Sequence, residues 1–127
     1  MTTEPGRILV VDDEPVVSSM LCDVLATAGY VVASAASGAE ALDLVPIFNP
    51  SVVLLDLTMP GMSGMEVLQH LRREYPRSPV VILSGNQDAE VKRRAIEAGA
   101  FDYLTKPFSL ALMRTAVRAA IASGSRG

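Results

Sequence analysis

The sequence predicts an α/β fold: a doubly wound, five-stranded parallel sheet flanked by five helices. Three observations predict it. Short runs rich in Val, Ile and Leu alternate along the chain with longer stretches of three- and four-residue periodicity, the pattern of repeated βα units. The runs are almost continuously apolar, as in strands buried on both faces. The connections are short, and right-handed crossovers then place helices over both sides of one sheet.

Ile8 to Val11 is the first strand; it ends on Asp12, Asp13 and Glu14, and Pro15 stands where a first helical residue would. The helix from Pro15 to Ala28 sets Val17, Met20, Leu21, Val24, Leu25 and Ala28 on one face expected to be buried, and Gly29 closes it. Cys22 falls off the centre of that face and reads as a small packing residue. Tyr30 to Ala33 is a second strand, less hydrophobic and expected at an edge. Ser37 and Glu40 form a capping box for a helix over Ala41, Leu42, Leu44 and Val45, whose end Pro46 and Pro50 bracket.

The third strand, Val52 to Leu55, lies inside SVVLLDLTMPGMSG and carries Asp56 to the rim of the core. Pro60 to Gly64 shapes the turn into Ser63, which with Glu66 repeats the capping box ahead of Val67, Leu68 and Leu71. The single histidine, His70, stands beside Arg72, Arg73 and Glu74 with no second imidazole or thiol near in sequence, and reads as a surface residue. Pro79 to Leu83 is the fourth strand, ending on Ser84-Gly85-Asn86. Its helix spans Asp88 to Ala98, with Val91 and Ala95 inward, Lys92, Arg93 and Arg94 outward, and Gly99 as terminator. Phe101 to Thr105 is the fifth strand, ending on Lys106-Pro107, and the last helix, Leu110 to Ala122, turns Met113, Val117 and Ile121 inward. One domain over residues 1–122 is expected, with Ser123 to Gly127 as a disordered Gly/Ser tail.

Composition narrows the function. The chain has 127 residues, half of them hydrophobic, which suits one domain with a full core. Eleven Lys and Arg against 14 Asp and Glu give a net charge of −3, and the basic residues are scattered, which argues against direct nucleic-acid binding. One cysteine excludes an internal disulfide and a thiolate metal cluster. The first residues, MTTEPGR, lack the apolar centre of a signal peptide, and no apolar run reaches membrane-span length. A soluble cytoplasmic protein is the expectation.

In parallel sheets of this kind, ligands bind beyond the carboxyl ends of the strands. Asp12 and Asp13 stand there after strand one, Asp56 after three, Ser84 after four and Lys106 after five. Three carboxylates facing one ammonium repel one another unless a proton or a cation intervenes. The ligands are hard oxygens, so Mg²⁺ or Mn²⁺ fits far better than Zn²⁺. A carboxylate can also act as a nucleophile toward phosphorus, forming an aspartyl phosphate, with Lys106 as a point charge and Ser84 as a hydroxyl donor to the phosphoryl oxygens. Taken singly, Asp13 could serve only as a helix cap, Ser84 as a turn residue and Lys106 as a solvated cation. Their convergence on one rim favours the chemical reading.

The segments ILVVDDEP, LLDLTMPGMSG, VVILSG and AFDYLTKPF, in this order and spacing from Arg7 to Ile121, resemble the receiver domain of two-component response regulators. The resemblance implies a flavodoxin-like strand order 2-1-3-4-5, as in the chemotaxis regulator. It implies that Asp56 accepts a phosphoryl group from a histidine kinase or histidine phosphotransfer protein. Asp12, Asp13, Asp56 and the backbone carbonyl of Thr58 would hold Mg²⁺, with Asp12 acting mostly through a metal-bound water. Ser84 and Lys106 would grip the phosphoryl group, and Lys106-Pro107 would be a cis bond. Tyr103 would be the aromatic that moves inward with Ser84, while Thr58 and Asn86 would tune phosphoryl lifetime. Helix four, strand five and helix five would form the surface that an effector protein, or an output domain linked to the chain, reads. Such a domain is a signalling phosphoacceptor, capable of self-phosphorylation from small donors and of autodephosphorylation, and either stands alone or belongs to a longer regulator.

One departure bears on assembly. Phe101 stands where many DNA-binding regulators carry an acid, and helix five lacks acidic residues, so the charged dimer of those regulators is not expected. Leu112 leaves room for an apolar partner or dimer. Three other readings compete: a pseudo-receiver that binds partners without phosphorylation, a flavodoxin-like cofactor protein, and an aspartate-nucleophile phosphatase. The first usually lacks a rim group, and none is lacking. The second needs a phosphate-cradling loop where Asp12-Asp13-Glu14 would repel phosphate. The third typically carries a second acid two residues past its nucleophile, where Thr58 stands.

Overall fold

A computed structural model describes residues 5–124 apart from Pro60. The elements alternate strictly: β1 Arg7–Val11, α1 Pro15–Thr27, β2 Val31–Ala35, α2 Gly38–Phe48, β3 Val52–Asp56, α3 Gly64–Glu74, β4 Val80–Ser84, α4 Ala89–Glu97, β5 Asp102–Thr105 and α5 Leu110–Gly124. The sheet has the expected order, β2-β1-β3-β4-β5, and every pairing is parallel. β2 is an edge strand, as its composition implied.

Strand alternation divides the core in two. Leu9, Val11, Val53, Leu55, Val80 and Ile82 face the side covered by α2, α3 and α4, where Ala41, Val45, Val67, Leu68, Leu71 and Ala95 meet them. Ile8, Val10, Val52, Leu54, Val81 and Leu83 face Leu21 and Leu25 of α1 and Met113, Ala116, Val117 and Ala120 of α5. Because β1, β3 and β4 are covered on both faces, nearly all their residues are buried, and the sheet is a rigid floor for whatever its strand ends carry.

Local signals behave mostly as expected. Ser63 and Glu66 complete a reciprocal capping box on α3. At α2 the Ser37 hydroxyl caps Glu40, but the Glu40 carboxylate reaches past Ser37 to the Ala36 N–H. Asp88 caps α4 through Glu90. Gly29 and Gly99 follow α1 and α4 with φ of 100° and 108°, a region that favours glycine.

The end of α2 falls between Pro46 and Pro50, as expected: Pro46 lies inside the helix, which runs to Phe48 until Asn49, at φ 54°, closes it with its N–H on the Val45 carbonyl. Packing of Ala41 and Val45 against the sheet side outweighs a missing N–H that ordinarily costs about 3 kcal/mol in a helix interior. On α1 the buried stripe is narrower than the periodicity implied, since Met20 and Ala28 are exposed and only Leu21 and Leu25 are fully buried. Cys22 is half-buried against the α1/α5 cluster. His70 is half-buried as well, not fully solvated. Ser123 and Gly124 belong to α5 and not to a tail. Residues 125–127 of the expected tail, and the Pro60 part of the expected turn, lie outside the described residues, as do residues 1–4 of the leader reading.

Candidate functional site

Each polar group at the rim is delivered by a strand that ends there, and backbone hydrogen bonds carry the sheet one step past its formal ends. The Asp12 N–H donates to the Ala35 carbonyl at 3.1 Å, and the Lys106 N–H donates to the Ser84 carbonyl at 2.7 Å. Asp12 is 2%, Asp56 1% and Ser84 0% exposed, so buried polar groups of this kind need partners. They have them. Asp12 Oδ1 accepts the Glu14 N–H at 2.9 Å. Asp56 Oδ1 accepts both the Thr58 N–H at 3.0 Å and the Thr58 hydroxyl at 2.9 Å. Those two bonds fix one carboxylate oxygen of Asp56 and leave the other, Oδ2, toward Lys106.

The turn that makes this possible depends on a close approach. A Cβ on Gly64, at the start of α3, would stand 2.4 Å from the Leu57 Cα and 3.0 Å from the Asp56 carbonyl oxygen. Only glycine lets α3 begin directly against the strand end that carries Asp56.

Lys106 joins the strand ends electrostatically. It follows β5 and precedes a cis bond to Pro107, as the motif implied. Its Nζ lies 3.1 Å from Asp12 Oδ2, 3.3 Å from Glu14 Oε1 and 3.5 Å from Asp56 Oδ2. Burial pulls the ammonium pKa down, but the bond to Asp12, the charges of Asp56 and Asp12 and the bond to Glu14 outweigh it and hold Lys106 above the ordinary lysine range. Asp12 lies above its ordinary value. Burial pushes it up, and the Glu14 N–H and Lys106 only partly offset that.

Asp12, Asp13 and Asp56 each offer one carboxylate oxygen, all within 4.8 Å of one another. Three hard oxygens at that spacing, with no imidazole or thiol among them, can hold a small divalent cation. Ser84 approaches the same rim from the other face of the sheet: Asp56 shares the pleat of Val52 and Leu54, and Ser84 that of Val80 and Ile82. The Ser84 Oγ accepts the Asn86 N–H at 3.0 Å, and the Asn86 carbonyl accepts the Tyr103 hydroxyl at 2.9 Å. Tyr103 is 5% exposed, an inward position. Asp12, Asp13, Asp56 and Lys106 therefore form one cluster, while Ser84, Asn86 and Tyr103 form a second hydrogen-bonded chain, tied to it by the backbone bond from the Lys106 N–H to the Ser84 carbonyl.

Sequence reasoning assigned no role to Glu14, which the fold brings to Lys106 across 92 positions. Its place in the acidic run after β1 was the available signal. The Thr58 side chain was expected to act on lifetime, and its hydroxyl bond to Asp56 is an addition to that reading.

Residues 8–118 match the response regulator receiver domain family. The chain is 45% identical over 115 residues to the transcriptional regulatory protein KdpE of Mycobacterium tuberculosis, covering 87% of this chain and 50% of that protein. It is 40% identical over 107 residues to the probable transcriptional regulatory protein TcrX of the same species, covering 84% and 46%. The chain thus spans about half the length of these curated relatives. Among solved structures, a response regulator receiver domain protein from Clostridium thermocellum superposes with a TM-score of 0.89 at 32% identity, over 94% of this chain and 97% of that one. The CheY-like receiver of Methanospirillum hungatei, at 24% identity, shares the fold with a TM-score of 0.91 over 97% and 98%. With the family matched from β1 into α5 and the strand order in agreement, the chain belongs to the response regulator receiver domains of two-component signalling.

Proposed function

We propose that Asp56 is the phosphoacceptor, taking a phosphoryl group from the phosphohistidine of a histidine kinase or histidine phosphotransfer protein. The observation that carries this reading is the meeting of three strand ends, those of β1, β3 and β5, at one buried carboxylate: Asp56 Oδ2 lies 3.5 Å from Lys106 Nζ inside the three-carboxylate group. A carboxylate oxygen of Asp56 forms the bond to phosphorus as the P–N bond breaks, and the leaving imidazole keeps the electron pair and gains a proton. Small acyl phosphates can donate in the same way.

Asp12, Asp13, Asp56 and the Thr58 carbonyl are the groups that would hold Mg²⁺ or Mn²⁺. When bound, such an ion neutralises carboxylate repulsion and draws phosphoryl oxygens into the site. The protein's own groups do the rest. Thr58 holds the carboxylate in orientation through Oδ1. Lys106 offers a point charge to the arriving oxygens. The Ser84 Oγ accepts the Asn86 N–H, so its own proton is available to donate to a phosphoryl oxygen.

Phosphorylation adds about −1.5 to −2 charge at Asp56. Ser84, drawn toward it, would pull on Asn86 and so on the loop whose carbonyl holds Tyr103, which supports a switch read on the surface of α4, β5 and α5. Thr58 and Asn86 stand where they can set how long the phosphoryl group lasts. The reader is an effector protein or an output domain in the same regulator. Direct nucleic-acid contact by residues 1–122 is not part of the reading, in line with the net charge of −3. The cytoplasm is the proposed location; none of the described helices is long and apolar enough to cross a membrane.

Incubation with acetyl phosphate and Mg²⁺, followed by mass spectrometry, tests the assignment. A single phosphoryl adduct that Asp56→Asn abolishes is expected. No adduct, or one that persists in Asp56→Asn, overturns it.

A further inference from the structure

We infer that the apolar groove beside Lys106 receives the acyl chain of an acyl phosphate donor, so that donors with longer alkyl chains phosphorylate Asp56 faster than acetyl phosphate does. The inference rests on the phosphoacceptor reading above and names a substrate class for it.

In phosphoryl transfer the attacking and leaving oxygens stand roughly in line through phosphorus. Asp56, 1% exposed, attacks from the floor of the site, so the leaving group departs outward past the rim. One groove off that rim, toward α2, is walled by the carboxylates of Asp12, Asp13 and Glu40, which disfavour a departing anion. Another, of about 490 Å³, lies between α1 and the start of α5, with Val17, Met20, Phe108 and Leu110 among its walls. It shares Lys106 and Glu14 with the site.

Those features match one kind of leaving group. An acyl phosphate loses a carboxylate that carries an alkyl chain, which calls for a cation at its head and apolar walls along its tail. Lys106, 3.5 Å from Asp56 Oδ2, is the cation. Glu14 sets a negative charge beside it, but the Glu14 side chain is 60% exposed and that of Lys106 19%, so solvent screens the carboxylate more than the ammonium. Val17 and Phe108 pack against the α1/α5 core, which fixes them. Met20 and Leu110, 42% and 37% exposed, are the apolar surface that an alkyl chain would cover.

In the reaction a carboxylate oxygen of Asp56 bonds to phosphorus while the bond from phosphorus to the acyl oxygen breaks, and the electron pair leaves with the carboxylate. Butyrate and acetate leave with almost equal ease, because the two added methylenes are remote from the carboxyl group. A rate difference between the two donors at equal, sub-saturating concentration therefore reports contact with the groove. Fully burying a methylene is worth about fourfold, and the groove is open to solvent, so butyryl phosphate should react about three- to tenfold faster than acetyl phosphate.

Phosphoryl adducts formed from the two donors with Mg²⁺ are followed by intact-protein mass spectrometry, which separates them by mass from acylated lysine. The donor ratio is taken within each protein, so a general change in reactivity cancels. The ratio should fall in Met20→Ser and in Leu110→Ser and approach one when both are made. It should keep its wild-type value in Val16→Ser, whose side chain is 82% exposed on the same helix but outside the groove. Equal rates in a wild type that forms the adduct with both donors would overturn the groove assignment and leave the phosphoacceptor reading standing. A ratio that survives both groove substitutions, or that Val16→Ser lowers as much, overturns the assignment as well. A wild type with no adduct from either donor overturns both readings.

Discussion

Two cations in this molecule each gather carboxylates at comparable distances, and they differ in nearly everything else. Arg93 on α4 pairs with Glu90 and, at 2.6 Å, with Glu97, all within one helix at spacings of three and four residues. Lys106 pairs with Asp12, Glu14 and Asp56 at 3.1 to 3.5 Å, drawing on residues 50 to 94 positions away. By distance alone the α4 network is the tighter. Its members are more than half exposed, however, and water competes for every contact. The Lys106 side chain is 19% exposed and two of its partners 1%, so charge there is only weakly relieved by solvent. A short contact marks a helix surface; a longer one between buried groups on separate strands marks a site.

The largest expected difference between the two clusters is chemical. Asp56→Asn should abolish the phosphoryl adduct completely, whereas Glu90→Gln should leave its yield unchanged, both read by intact-protein mass spectrometry with acetyl phosphate and Mg²⁺. A loss of adduct in Glu90→Gln would mean that the α4 carboxylates also serve the reaction, and the contrast would collapse.

Stability should separate the clusters next. Lys106→Met in the presence of a chelator leaves Asp12 and Asp56 buried without their cation, and urea unfolding should report a loss of about 1–3 kcal/mol, the cost of stranding buried acceptors. Arg93→Met should leave the midpoint unmoved. Adding a divalent cation should restore part of the loss in Lys106→Met, since the same carboxylates can turn to it. Equal midpoints for the two variants would show that burial does not set the difference.

Much of this arrangement was legible in the sequence because parallel strands buried on both faces leave continuous apolar runs, and the residue after each run must lie at the rim. Asp12, Asp56, Ser84 and Lys106 are placed at the rim on that ground alone. Glu14 could be placed at the rim but not paired, because whether it caps α1 or reaches Lys106 depends on how β5 ends, 92 positions later. Pro46 and Pro50 bracketed the end of α2 without fixing its last residue, because packing of α2 on the sheet carries the helix past Pro46 to a stop at Asn49 in a left-handed turn. Met20 and Ala28 misled because periodicity gives the direction of a helix face but not the width that its neighbours cover.

A smaller effect is expected in the pH dependence of the metal-free protein. The folded pKa of Asp12 is raised above the ordinary value of 3.8, chiefly by burial. A raised pKa means that the folded state holds the proton more tightly, so the contribution to stability is complete below about 3.8 and is lost as pH rises through the folded value. Asp12→Asn removes that dependence. Its stability relative to wild type should therefore grow as pH rises from about 4 toward neutrality, in matched urea series with a chelator. Curves that stay parallel across that range would show that Lys106 and the Glu14 N–H already compensate the burial of Asp12.

The smallest effect tests the comparison most directly, because it perturbs both clusters at once and replaces no residue. At 1 M salt the screening length falls to about 3 Å, shorter than most separations between exposed charges. The Arg93 pairs lie in that solvent and should yield to it, so the Arg93 Nε resonance should move steadily as salt is raised. Lys106 is shielded by the strand ends that position it, and its Nζ resonance should hold nearly still over the same series. Glu14, the exposed member of the buried cluster, gives an internal standard: its side-chain carboxyl resonance should respond to salt more than those of Asp12 and Asp56 and less than that of Glu97. If all four carboxyls respond alike, the two cations differ only in where they sit along the chain, and the buried charges at the strand ends have no special standing.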